Sequence, residues 1–331
     1  MESADPSAPV VAPHGGTARP ERPLIGTHDV EELEVRARAL EALIAAEVPF
    51  IVAGAYAFFA YTGIYRDTKD LDVFLLERDM PAAFEAFERA GFTTDLPDPR
   101  WLGKAYFGTR FVDLIFSSSN GLAVVDELWF KHAREGEVLG YRCRLAPPEE
   151  IIFSKAFIEE RERYDGADIN HLIYACGEEL DWERLLARFG PHWEVLFSHL
   201  LLYNFVYPGS RSRVPTWLME ELVQRTQQVI RSGDGQPELC RGHLISGKQY
   251  RHDYEARGMA PINAEPCALG PEWRPCVPLR ETLAAGLGGG AALIDGAADP
   301  ATRVTSLEEA ALTRDPTLAL IEAAVKPCGS T

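Results

Sequence analysis

Residues 49–74 read P-F-I-V-A-G-A-Y-A-F-F-A-Y-T-G-I-Y-R-D-T-K-D-L-D-V-F. The apolar residues 50–53 predict a short strand, Gly54 a tight turn, and 55–64 an apolar helix. A second strand is expected over 71–76, entered through Asp70-Leu71-Asp72. Its nearly continuous apolar run predicts a central strand covered on both faces. Residues two apart in a strand share a face, so Asp70 and Asp72 present two carboxylates together while Leu71 enters the core. Carboxylates this close repel unless a cation lies between them or one keeps its proton. A hard divalent ion with oxygen ligands, Mg²⁺ or Mn²⁺, meets that need.

Asp-x-Asp alone is common, and its neighbours give it meaning. Both acids lie in an otherwise apolar run, where an uncompensated charge is costly. Ala53-Gly54-Ala55 joins strand to helix, and a glycine there lets the backbone approach a phosphate held by the first N–H groups of the helix. Downstream, Asp113 sits inside a further apolar strand, R-F-V-D-L-I-F, residues 110–116. Three carboxylates from two strands, with an anion-binding turn, are the parts of two-metal phosphoryl or nucleotidyl transfer.

G-A-Y-A, then R-D-T-K-D-L-D-V-F, then F-V-D-L-I resembles the polymerase-beta-like nucleotidyltransferase superfamily. The pattern is most similar to its small bacterial branch related to abortive-infection, toxin–antitoxin-type nucleotidyltransferases. That family shows a Gly-Gly or Gly-Ser turn, an Arg-x-Ser/Thr-x-Asp-x-Asp strand and a third Asp on a later strand. Gly54 matches the first element, Arg66, Thr68, Asp70 and Asp72 the second, and Asp113 the third. The resemblance implies an α+β core with a mixed sheet followed by an all-α domain. It implies Mg²⁺ (or Mn²⁺) on Asp70, Asp72 and Asp113, and nucleotide contacts at Gly54, Ala55, Arg66 and Thr68. The second turn position, usually Gly or Ser, is Ala55: its N–H remains, and a hydroxyl does not. Further on, Lys155, Arg161, Arg163, Asp165 and Asp168 resemble the branch's Lys…Arg…Lys-Asp-x-x-Asp pattern, with Tyr164 where a Lys would precede Asp165. Lys155 is then a candidate for triphosphate contact, and the alternative is a solvated face of ion pairs with Asp165 as a helix cap. Ion pairs and surface exposure are the expectation for Arg161, Arg163 and His171.

The implied reaction moves a nucleoside monophosphate from an NTP to an acceptor hydroxyl on RNA, protein or a small molecule, releasing pyrophosphate. A binding module of the same fold without turnover, or a metal-dependent phosphohydrolase, uses the same parts. The 331 residues carry a formal net charge of −17, which gives no general attraction for nucleic acid or anionic membrane. An RNA acceptor would need a local patch such as Arg211-Ser212-Arg213. The six dispersed cysteines suit a reducing, cytoplasmic compartment. The uncharged run 48–65 approaches membrane-spanning length, but Pro49, Gly54 and Gly63 interrupt it, so no membrane partner is expected.

Composition and periodicity divide the chain into a disordered tail (1–25), the catalytic core (26–146), a helical domain (147–232) and an irregular region (233–331). In the core, Asp29 is expected to cap a first helix and Asp79 the helix striped by Phe84, Phe87 and Ala90. Strands are expected over 106–108, 111–116 and 138–145, and a helix over 122–132. Further helices are expected over 149–160, 167–176, 182–188, 193–203 and 216–230, and a late one over 307–325. The aromatic residues from Trp193 to Tyr207 are expected in helix core rather than as a base-stacking platform. Cys240-x-x-His243 with Cys267 and Cys276 has zinc-ligand chemistry but long spacing.

Overall fold

A computed structural model describes residues 30–262 of the chain, other than Asp67 and Asp234. The expected tail, Asp29 and the late helix over 307–325 lie outside the described residues. The first half is α+β: α1 (Val30–Ala45), β1 (Ile51–Val52), α2 (Gly54–Thr62), β2 (Asp72–Phe74), α3 (Met80–Arg89), β3 (Thr93–Asp98), β4 (Leu102–Phe107), β5 (Arg110–Ile115), α4 (Glu127–Lys131), β6 (Arg134–Val138) and β7 (Tyr141–Leu145). Helices follow: α5 (Pro148–Ala156), α6 (Gly166–Cys176), α7 (Trp182–Phe189), α8 (Trp193–Val206) and α9 (Thr216–Ser232). Short elements close the described chain: β8 (Leu239–Cys240), α10 (His243–Ser246), α11 (Arg251–Glu255) and β9 (Ala260–Pro261).

Seven strands form one mixed sheet in the order β3-β4-β5-β2-β1-β7-β6. β2 lies parallel to β5 and β1 parallel to β7; the other neighbours are antiparallel. Period-two burial decides the faces. Val73, Ala105, Val112 and Leu114 are fully buried on one face. α3 packs there, so close that a Cβ at Gly103 would lie 2.4 Å from the Met80 side chain. Asp72, Phe74, Lys104, Tyr106, Phe111 and Asp113 are half-buried on the other. This corrects the expectation for β2: Leu71, Val73 and Leu75 point inward, but Asp72 and Phe74 do not, so the strand is covered completely on one face only.

The apolar interior continues from the sheet into the helices, where Phe153, Phe157, Phe189 and His192 meet edge-on or stacked. Charge is buried at the junction. Arg184 pairs with Glu149 (2.9 Å) and Glu150, while Arg188 pairs with Glu150 (2.9 Å) and with Asp126, which caps α4. Every one of these five residues except Asp126 is under a twentieth exposed.

Three further expectations change. The helix over 122–132 shrinks to α4, because the Ser118–Asn120 turn and the Val125 N–H bond to Phe116 hold 118–125 in a non-helical path. The helix over 149–160 ends at Ala156: Phe157 turns into the aromatic cluster, and Glu159 bridges Tyr164 instead of continuing the helix. β3 was not expected from the sequence; it is an exposed edge strand, with a register irregularity between Asp95 and Asp98 that accommodates Pro97. Asp79 precedes α3, but its side chain makes no capping bond. Among the described residues no helix is long and apolar enough to cross a membrane, and Gly63, at φ 69°, ends α2 within the uncharged run.

Candidate active site

The site is a row across the half-buried sheet face. Register aligns Asp72 of β2 with Asp113 of β5, and Asp113 with Lys104 of β4. Asp70 enters from the loop before β2. One oxygen from each of Asp70, Asp72 and Asp113 can be chosen so that all lie within 4.8 Å of one another, which gathers the three acids read from the sequence. Burial first, and then the charges of Asp70 and Asp113, push the Asp72 carboxyl up to about 7. Asp113 is also raised, by burial above all, against the opposing hydrogen bond from Lys104. Three hard oxygen donors that resist joint ionisation fit a divalent cation of the Mg²⁺ class.

Gly54 carries a role the sequence did not disclose. Its φ is +56°, and a Cβ there would lie 1.8 Å from Asp72 Oδ2. The missing side chain therefore makes room for the carboxylate itself, as well as opening the turn. Ala55 follows in the first turn of α2, half-buried. Thr68 Oγ1 donates to Asp70 Oδ1 at 3.0 Å and to the Asp70 carbonyl at 3.2 Å, which fixes the loop carboxylate.

Arg36 was missed. It is 1% exposed in the middle of α1. Its Nη2 donates to the Thr68 carbonyl (2.6 Å) and to Glu32 (2.5 Å), and its Nη1 to Tyr56 Oη in α2 (3.1 Å). One guanidinium thus ties α1 to α2 and to the loop bearing Asp70. Lys104 was also missed. Its Nζ lies 2.5 Å from Asp113 Oδ1 and 3.9 Å from the centre of the Phe111 ring. An arginine on a helix or a lysine on a strand reads as solvated in sequence, and only tertiary pairing shows otherwise.

The helical segment supplies a second charged cluster beside the first. Lys155 at the end of α5 pairs with Asp165 (2.6 Å) and Asp168 (2.9 Å), and it is close enough to Asp72 to pull that carboxyl's pKa down. Arg66 pairs with Asp168 and lies over Phe58, 4.5 Å from the ring centre. Arg163, largely exposed, pairs with Asp165 at 3.1 Å and also acts on Asp72. Burial pushes Asp165 up, but Arg163 and Lys155 together hold it below its usual value. Asp165 therefore accepts from cations rather than capping α6, where its side chain makes no bond to the helix. His171 meets Phe58 edge-on, and Tyr164 turns away to stack on His199.

Other sequence candidates fall away from this centre. Cys240 and His243 gather no further ligand among the described residues; His243 meets the Tyr254 hydroxyl, and Cys267 and Cys276 lie outside them. Of the aromatic run, Tyr203 is core, whereas Phe205 is 81% exposed. Arg213 lies over Tyr174, 5.0 Å from the ring centre, and Arg211 donates to the Asn204 carbonyl.

No family model matches the chain, and no curated protein matches it. Among solved structures it is similar to the antibiotic-resistance factor ANT(2'')-Ia, with 18% identity over 52% of this chain and 98% of that one, at a TM-score of 0.39. It is similar to the lincosamide antibiotic adenylyltransferase LnuA with lincomycin bound, with 14% identity over 44% and 96%, at 0.32. A third is an antigenic nucleotidyltransferase-like protein from Paracoccidioides brasiliensis, with 15% identity over 51% and 92%, at 0.31. Overlaps this loose assign no role to any residue of this chain.

Proposed function

We propose that the protein is a metal-dependent nucleotidyltransferase of the polymerase-beta-like kind, moving a nucleoside monophosphate from an NTP to an acceptor hydroxyl with release of pyrophosphate. The observation that carries this is the convergence of Asp70, Asp72 and Asp113 beside the glycine turn that opens α2. Asp70 and Asp72 hold Mg²⁺ or Mn²⁺, with Asp113 completing the ligand set. The ion's contribution when bound is to neutralise charge on the α-phosphate and the departing pyrophosphate. The backbone N–H groups at Gly54 and Ala55 receive the triphosphate, at the positive end of the α2 dipole. Arg66, Thr68 and Lys155 are the further nucleotide contacts in this reading. Asp113 faces the acceptor and takes the proton of its hydroxyl.

Incubation with α-labelled NTPs, Mg²⁺ and a pool of RNA, protein and hydroxyl-bearing small molecules tests this. Label passes to an acceptor with the wild type and not with Asp70→Ala/Asp72→Ala; transfer that persists in the double variant removes the assignment. One arrangement favours a second reading, a nucleotide-binding module without turnover. Lys155 is already engaged by Asp165 and Asp168, and Ala55 offers no hydroxyl in the first turn. Thermal stabilisation by Mg²⁺ and an NTP without label transfer selects that reading.

A further inference from the structure

The carboxylate row ends in a cation of the protein's own. Asp72, Asp113 and Lys104 are consecutive register partners on three adjacent strands, so their side chains share one face. Like charges directly opposite across strands repel, and Asp72 and Asp113 are such a pair. Lys104 answers on one side of Asp113, with its Nζ 2.5 Å from Oδ1 and both side chains less than a fifth exposed. Phe111, on the same face of β5, lies under the ammonium and holds it in place. Lysine delivers a compact charge suited to one oxygen, where arginine would fork across both.

The other cations near the site are paired directly with other acids, although Lys155 and Arg163 act on Asp72 from further off. Lys155 is held between Asp165 and Asp168, Arg66 by Asp168 and Arg163 by Asp165. Counted together, the three acids and Lys104 leave two negative charges, which one divalent ion neutralises. In two-metal sites the ions stand about 3.5–4 Å apart, and here the Asp113 oxygen under the ammonium is closed to either ion.

We propose that Lys104 serves as the second cation of the site, so that the nucleotide-free protein takes one divalent ion at Asp70, Asp72 and Asp113 rather than two. This rests on the divalent-ion site proposed for those three acids. It makes Lys104 a positioning residue: it orients Asp113, presenting the other oxygen to the ion or to the acceptor hydroxyl.

The test is a count of bound Mn²⁺ on the full chain without nucleotide, read from the loss of the free-ion electron paramagnetic resonance signal. Wild type binds one ion. Lys104→Met, which keeps the length and removes the charge, binds two, and Lys104→Met/Asp113→Asn returns to one. Lys104→Gln is the second variant, used if the methionine variant fails to give a cooperative melt. Two ions on wild type, or one ion on a folded Lys104 variant, overturns the proposal. A different result marks failure of the underlying site: no Mn²⁺ on wild type, or binding that Asp72→Asn leaves untouched.

Discussion

Gly54 and Asp72 compete for one small volume, and their pairing yields two predictions. Gly54→Ala forces a side chain into positive φ, at about 1–2 kcal/mol, and drives a Cβ into the Asp72 carboxylate. The variant should lose at least that much stability in urea melts and bind Mn²⁺ at least tenfold more weakly, whereas Ala55→Gly should keep wild-type Mn²⁺ affinity. The Asp72 carboxyl, held up to about 7 by burial and by its acidic neighbours, sets a pH dependence. Its pKa in the unfolded chain is about 3.9, so between those values the folded state binds the proton that the unfolded state releases. In EDTA this group's contribution to stability is therefore present below pH 4 and is lost as pH rises to 7. A bound ion requires the ionised form, so stabilisation by Mg²⁺ grows over the same range. Melting temperatures with EDTA and with Mg²⁺, from pH 5 to 8, should diverge for wild type and stay parallel for Asp72→Asn.

At the scale of elements, Arg36 joins α1, the first turn of α2 and the Asp70 loop through one buried guanidinium. Its removal takes the guanidinium away from Glu32 and from the Thr68 carbonyl. Arg36→Met should cost about 3–5 kcal/mol in denaturant unfolding, the range for breaking a buried pair from one side. Arg36→Lys, which retains the charge, should cost less. The strands β1, β2 and β5 and the three acids were legible because each lies in or beside a short apolar run that can be read locally. Arg36 and Lys104 were not legible, since their partners lie thirty-two and nine residues away and depend on a register that no local pattern specifies. The boundaries of α4 and α5 were misread for a related reason. Leu122, Ala123, Val125 and Phe157 are apolar because they are buried, not because they are helical. β3 escaped notice because an exposed edge strand has no buried face to alternate with.

Across the whole molecule, the sheet and the helices share one apolar interior and one buried charge network. Arg188 spans the junction, bonding Asp126 ahead of α4 and Glu150 in α5. Glu150 is pushed up by burial, against the pull of Arg188 and Arg184. Arg188→Met takes away the guanidinium that Asp126 pairs with and leaves Glu150 to Arg184 alone. It should destabilise the protein by about 3–5 kcal/mol while both halves still melt together, as followed by far-ultraviolet circular dichroism and tryptophan fluorescence. That junction carries the segment bearing Lys155 and Asp165 beside the carboxylate row, where we propose that nucleotidyl transfer takes place. The most direct measurement of that chemistry follows the label of γ-labelled NTPs incubated with Mg²⁺ and the acceptor pool. Wild type should release it as pyrophosphate, and Asp72→Asn should leave it in the NTP. Release as orthophosphate, or undiminished pyrophosphate from the variant, contradicts nucleotidyl transfer at this site.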